Sequence, residues 1–175
     1  MTEGIPLNSP RRSYEAHVLL VPLGADAARA QEAMVARGLD GVMTVRGVTP
    51  STGSDSKAPR LDSIPLGVHG WRPAAGDLTV AEVVDDTDMV VLLATDLAEV
   101  PPAFCLMAAE AARANGSLIA ALVVGSGNWD TPQGNTAMAA LREAVDMLVV
   151  VRGLDLAAPF LDVLRGGRRA PAMAL

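Results

Sequence analysis

Two unbroken aliphatic runs, residues 89–94 and 118–124, constrain the fold more than any other part of the sequence. Neither run alternates apolar with polar residues, which is typical of a strand covered on both faces. Residues 101–115 lie between them and form a predicted helix that stops at Gly116. A buried strand, a helix and a second buried strand predict a parallel sheet with a right-handed crossover.

Four shorter apolar segments extend this pattern to six predicted strands; they lie at residues 17–22, 42–45, 64–66 and 147–151. Pro65 marks one of these as an edge strand. The sequence therefore predicts one α/β domain with an open, mostly parallel, six-stranded, Rossmann-like sheet and helices on both faces. We expect the domain to span residues 16–165, with a flexible arm over 1–15 and a flexible tail over 166–175.

Charge and composition exclude several classes of protein. A formal charge of −6 argues against sequence-independent nucleic-acid binding, which needs clustered cations. No apolar run reaches the roughly 18 residues of a membrane span, and the N-terminus has no signal-peptide pattern, so we expect a cytoplasmic protein. Cys105 is the only cysteine, which excludes a disulfide framework and a thiolate zinc cluster.

The segment after the strand at 89–94 lacks the glycines that a phosphate-binding turn requires. Residues 95–102 read Thr-Asp-Leu-Ala-Glu-Val-Pro-Pro. Phosphate capture at a strand-to-helix turn uses free backbone N–H groups and a close backbone approach. The two prolines remove donors, while Asp96 and Glu99 add negative charge. The sequence predicts a nucleotide-binding scaffold without its phosphate chemistry.

Three segments resemble the GTP-binding domain of FtsZ, the bacterial tubulin homologue: residues 83–91, 109–118 and 140–150. Residues 18–42 and 70–77 resemble the first and third nucleotide loops of that family and their surroundings more loosely. The resemblance covers about residues 16–156. It implies a bacterial protein with the six-stranded FtsZ/tubulin N-terminal-domain fold.

The departures from this family all affect nucleotide binding. Its Gly-Gly-Gly-Thr-Gly-Thr-Gly signature aligns with residues 97–103, where no glycine or threonine remains, and the asparagine that reads guanine falls at Gly153. The sequence also stops before the family's central helix and second domain. The resemblance thus implies a truncated, degenerate relative without GTPase activity or assigned catalytic residues. The degenerate loop positions are Gly24, Asp26, Gly76, Asp77, Asp96, Glu99 and Gly153.

Two further groups of side chains are candidates at the carboxyl edge of the predicted sheet. Asp96, Asp130 and Asp155 follow three of its strands and form a candidate acidic crevice, with oxygen ligands of the kind that Mg²⁺ or Ca²⁺ prefers. Trp71 and Trp129 are predicted in loops at the same edge, where exposed indoles would anchor a protein interface.

These observations lead to two hypotheses. The first is a non-catalytic FtsZ/tubulin-like protein that forms a homo-oligomer or binds a protein partner, such as an FtsZ-like filament, in a scaffold, assembly or regulatory role, with no cofactor. The second is a small α/β enzyme or ligand-binding protein whose acidic crevice at the carboxyl edge has been repurposed, with a divalent cation as its cofactor.

Overall fold

The computed structural model describes residues 15–53 and 58–167. Strands and helices alternate along most of this part of the chain. Their bounds are β1 Val18–Pro22, α1 Ala25–Ala36, β2 Val42–Arg46, β3 Leu61–Leu66, β4 Ala75–Leu78, α2 Val80–Val84, β5 Met89–Asp96, α3 Pro102–Asn115, β6 Leu118–Gly127, α4 Pro132–Ala144, β7 Met147–Val151 and α5 Leu154–Arg165. A short 3-10 helix, Leu97–Glu99, lies between β5 and α3.

The strands form one open sheet in the order β4-β3-β2-β1-β5-β6-β7. Strands β1, β2, β5, β6 and β7 are parallel, whereas β2, β3 and β4 form an antiparallel meander. The predicted α/β class, with a mostly parallel, Rossmann-like sheet, is therefore confirmed.

The predicted number of six strands is wrong, because β4 is a seventh. Its sequence, Ala-Gly-Asp-Leu, contains no β-branched or aromatic residue, so nothing local favours an extended chain. Pairing with β3 creates the strand, and β3 is consequently not an edge strand as predicted. The pairing between β3 and β4 ends at Ser63. Pro65 lies beyond this point, where no strand pairs with the β4 side of β3, so its missing N–H group breaks no hydrogen bond there.

Helices cover both faces of the sheet. On one face α2, α3 and α4 pack against strand residues that include Leu19, Val90 and Leu92. On the other face α1 and α5 pack against the alternate residues, among them Val18 and Val91. The helices after β1 and β5 thus lie on opposite faces of two adjacent strands, which makes the β1–β5 boundary the topological switch point of the sheet.

Two helices begin with capping residues that satisfy their free amides. The Thr79 hydroxyl accepts from the amide of Glu82 at 3.1 Å, and the Glu82 carboxylate accepts from the amide of Thr79 at 2.8 Å, which forms a capping box at the start of α2. Thr131 caps α4 by accepting from the amide of Gly134 at 2.9 Å, and Pro132 occupies the first helical position.

A buried arginine joins the two ends of the described chain. Arg165, whose side chain is 3% exposed, donates to Glu15 at 2.8 Å and to Asp162 at 3.2 Å. Its carbonyl accepts from the amide of Ala16. The predicted arm and tail lie otherwise largely outside the described residues. Within the described ranges, no helix is long and apolar enough to cross a membrane.

Replacing this arginine should destabilise the fold strongly. Arg165→Met removes the cation that faces two nearly buried carboxylates, and we expect the free energy of unfolding to fall by about 3–5 kcal/mol. Chemical denaturation measures the change. Arg60→Met, which removes an exposed ion pair with Asp77, is the control and should unfold like the wild type. Equal losses in the two variants would contradict the role of Arg165.

Candidate functional site

The candidate site is the crevice at the carboxyl ends of β1 and β5, where open α/β sheets bind their ligands. The loop from β1 to α1 contributes Gly24, and the 3-10 helix after β5 contributes Glu99. The register of the two strands, with Pro22 beside Leu93, brings both loops to the same point of the edge. Asp26, in the first turn of α1, completes the group.

The carboxylate of Glu99 occupies the N-terminus of α1. Its Oε1 accepts from the amide of Asp26 at 2.9 Å, while Gly24, the N-cap of the helix, makes no side-chain capping bond. A Cβ on Gly24 would lie only 2.6 Å from this oxygen, so the missing side chain gives the carboxylate its space. The first turn of a helix attracts anions through its free N–H groups and its dipole. Glu99 thus fills the position that a bound phosphate would take.

The neighbouring carboxylate, Asp26, is held by two donors. The Thr95 hydroxyl, at the end of β5, donates to it at 2.6 Å, and Arg29 donates from the next turn of α1 at 3.1 Å. The hydrogen bond from Thr95 lowers the pKa of Asp26; partial burial opposes this effect and Arg29 adds to it. Glu99 and Asp26 can lie close together because separate donors satisfy each of them.

The other strand-to-helix elements of the site offer little to an anion. Asp96 accepts from the amide of Ala98 at 3.0 Å and from the side-chain amide of Asn128, so it caps the 3-10 helix. Helix α3 begins at Pro102, after Pro101 at its N-cap. Neither proline has an N–H group, so α3 lacks donors that a phosphate-binding helix would present.

A cavity of about 510 Å³ lies beside this closed site, between α1 and the strands β2 and β3. Gly24 and Glu99 form one end of it. Much of the remaining lining is apolar; it includes Ala25, Ala28, Val45, Val48, Pro50 and Ile64. The cavity has room for a small molecule, but the carboxylate stands at its junction with the helix N-terminus.

The remaining degenerate loop positions lie away from the switch point. Gly76 and Asp77 belong to β4, three strands from β1, a separation of about 14 Å. Asp77 receives a hydrogen bond from Arg60 at 2.9 Å, which lowers the pKa of its carboxyl group. Gly153 is the N-cap of α5 at the end of β7. The sequence thus identified seven positions, of which the structure brings Gly24, Asp26 and Glu99 together, with Asp96 beside them.

The three acids of the predicted crevice do not form a metal centre. In the described part of the chain, no group of three or more His, Cys, Asp or Glu side chains is placed to hold a metal ion. Asp96 is used as a cap, and Asp130 and Asp155 are exposed in the β6–α4 loop and in the first turn of α5.

The two tryptophans lie at opposite edges of the sheet. The prediction that Trp71 lies at the carboxyl edge is wrong, because the antiparallel strand β3 returns the chain to the amino edge. There Trp71 stacks on His17 at 4.5 Å and donates to the carbonyl of Val18 at 2.8 Å. Trp129 does follow β6 at the carboxyl edge, but its indole donates to the carbonyl of Gly125 and packs against the core. Both rings are half-buried.

Sequence reasoning treated the acids here only as a source of repulsion and missed the positive role of Glu99. The signal that could have found it is the pairing of a glycine N-cap, which has no side chain to cap α1, with an acid in the facing loop. Thr95, which holds Asp26, gave no signal of its own, because its contact spans the crevice.

The Thr95→Val substitution tests the hydrogen bond to Asp26. Without the donor, the pKa of Asp26 should rise towards its ordinary value, and stability at neutral pH should fall by about 0.5–1.5 kcal/mol. The lowered folded-state pKa stabilises the fold above the unfolded-state pKa, and this contribution disappears as the pH falls through the folded-state pKa. Thr95→Val should therefore weaken the loss of stability below pH ~4.

Carboxyl NMR titration and denaturant melts measure both effects, and Thr136→Val, in an exposed turn of α4, is the control. An unchanged Asp26 titration would refute this account.

Gly24→Ala tests the close contact with Glu99. Gly24 has a φ of +110°, and its new Cβ would lie 2.5 Å from the Cβ of Glu99, so we expect a loss of about 2–4 kcal/mol. Gly116→Ala is the matched control, since Gly116 has a φ of +78° and nothing within 4 Å of an added Cβ. It should cost only the backbone strain. Adding Glu99→Gly to Gly24→Ala should cost less than the sum of the single changes, because the clash is then absent. Strict additivity would contradict the proposed contact.

Comparison with protein-family models and with curated protein sequences finds no match to this chain.

Proposed function

We propose that this protein is a degenerate FtsZ/tubulin-like domain that is not a catalyst and acts by contact with another protein molecule. The observation that carries the proposal is the carboxylate of Glu99 at the N-terminus of α1. The family resemblance rests on the three sequence segments described above. The Rossmann-like sheet is consistent with it, and the acids and prolines at the switch point support the proposed loss of GTPase activity.

Two effects would make the binding of a phosphate at the N-terminus of α1 unfavourable. It would have to displace Glu99 from the amide of Asp26, and it would remain beside the carboxylate of Asp26. Two unit negative charges about 4 Å apart near a protein surface repel by roughly 4 kcal/mol. The prolines at the start of α3 remove donors that could offset this repulsion.

Exposed apolar side chains support a role in protein contact. Two of them, Met147 and Val150, are 38% and 49% exposed on β7. Two others, Leu156 and Val163, lie on α5, the helix that follows β7, and are 50% and 70% exposed. Exposed apolar residues on two consecutive elements at the β7 end of the sheet provide apolar area for a protein contact.

The second hypothesis, a ligand-binding protein, has one observation in its favour. The 510 Å³ cavity beside Glu99 has the volume of a small-molecule site and a partly apolar lining. Its occupant would be a small, partly apolar molecule rather than a nucleotide, because the carboxylate of Glu99 lines the end of the cavity next to the N-terminus of α1.

Isothermal titration with GTP, GDP and Mg²⁺ tests the proposed function. We expect no heat of binding in the micromolar range for either nucleotide, with or without the cation. Glu99→Gln retains the size of the side chain and removes its charge, so it should also fail to bind while Asp26 and both prolines remain. Micromolar affinity of the wild type for GTP would refute the proposal.

A further inference from the structure

The outer edge of β7 carries backbone groups without a strand partner in the described residues. Strand β7 pairs with β6 on one side, and no described strand pairs with its other side. The residues of the strand, Met147–Val151, are all apolar, and all remain exposed or half-buried. In the central strand β5, by contrast, residues 90–94 are fully buried. Unpaired N–H and C=O groups beside an apolar strand form a template for a further strand.

The opposite edge of the sheet shows how an edge is normally protected. Strand β4 has four residues and includes Gly76 and Asp77. Asp77 has a φ of +55°, which interrupts the extended backbone, and it forms an ion pair with Arg60. Short length, charge and irregular backbone all discourage strand addition. Strand β7 is one residue longer than β4, and between Met147 and Val151 it has neither a charged residue nor a left-handed backbone.

Strand β7 itself has no charged residue, but one charged residue flanks it at each end, and the two have opposite signs. Asp146 precedes the strand and Arg152 follows it, and both are exposed. Asp146 accepts from the amide of Ile119 at 3.1 Å and keeps further acceptor capacity. No side chain in the described ranges forms an ion pair with Arg152.

We propose that β7 pairs antiparallel with β7 of a second copy of this chain, about a twofold axis at Val149. In this register Val149 faces its own counterpart, and Leu148 faces Val150 of the other copy. Asp146 and Arg152 lie at bends just outside the strand, so Asp146 of each copy comes within reach of Arg152 of the other, and the pairing creates two intermolecular ion pairs. Directly opposed residues of antiparallel strands have Cβ atoms about 5 Å apart, close enough for these contacts.

The register follows from symmetry and charge together. A twofold pairing requires the same surface on both copies, so each register is defined by the residue on the axis. An axis at Leu148 or Val150 would shift the acid and the base out of opposition. It would also shorten the apolar overlap. Only the axis at Val149 places all five residues of β7 against one another and joins both charged ends.

A second copy fits this edge better than a continuing filament. A filament would pair β7 with β4 of the next molecule, and β4 is short, charged and irregular. The net charge of −6 also opposes unspecific association between copies, which the two ion pairs offset locally. The β7 dimer specifies the partner and the surface of the protein contact proposed above, and it rests on that proposed function.

Charge reversal tests the pairing by light scattering after gel filtration. The wild type should be a dimer, and Arg152→Glu and Asp146→Lys should each raise its dissociation constant about tenfold or more, because like charges then face each other. An equimolar mixture of the two variants should form a heterodimer, since both opposed pairs are again of opposite sign. Arg37→Glu, an exposed charge reversal at the end of α1, is the matched control and should remain dimeric.

Cysteine cross-linking tests the register and does not depend on the charged variants being folded. Val149→Cys should form an intermolecular disulfide under mild oxidation, because the two cysteines face each other at the axis. Val150→Cys is the control, since its counterparts lie about 8 Å apart in this register. Native Cys105 will not interfere, because it is buried and burial raises its pKa to about 12.

A monomeric wild type, an Arg152→Glu variant as dimeric as Arg37→Glu, or equal cross-linking at positions 149 and 150 would each overturn the pairing. These outcomes are independent of the nucleotide titration. A monomer that also binds no GTP would refute the β7 dimer alone, whereas nucleotide binding would refute the proposed function.

Discussion

The contact between Glu99 and the first turn of α1 joins the two loops that meet at the switch point of the sheet. Helix α1 lies on one face and α3 on the other, and their loops meet only at the carboxyl ends of β1 and β5. Gly24 supplies no cap, so the amide of Asp26 needs an acceptor from elsewhere, and Glu99 provides it. In a nucleotide-binding protein this acceptor is the ligand's phosphate. Here the acceptor is a side chain of the protein itself.

This arrangement explains how the scaffold can persist without its chemistry. The strands around the switch point are held by aliphatic packing on both faces, which does not depend on the loops. The loops need only satisfy the helix N-termini, and an acid or a proline does that as well as a phosphate-binding glycine run. A glycine is still required at position 24, since any side chain would collide with Glu99. The proposed family origin and the proposed loss of GTP binding are therefore compatible in one fold.

Much of the fold could be predicted because its signals are local. The runs in β5 and β6 and the caps at Thr79 and Thr131 depend on neighbouring residues, and the structure contains all of them. Strand β4 could not be predicted, since only its pairing with β3 makes it extended. Because the antiparallel meander of β2, β3 and β4 was not predicted, Trp71 was assigned to the wrong edge of the sheet. The role of Glu99 was equally hidden, because it connects residues 73 positions apart.

The two edges of the sheet differ in a way that bears on how such a domain meets other molecules. At β4 a charged residue with a left-handed backbone ends the sheet, whereas at β7 five apolar residues end it without protection. An unprotected edge is a template for strand addition, and the proposed partner would cover it. Charges of opposite sign at the two ends of β7 restrict that partner to an antiparallel strand with the same charge order. Strand β7 of a second copy has an acid before it and a base after it, so pairing with itself is the simplest way to cover this edge of the sheet.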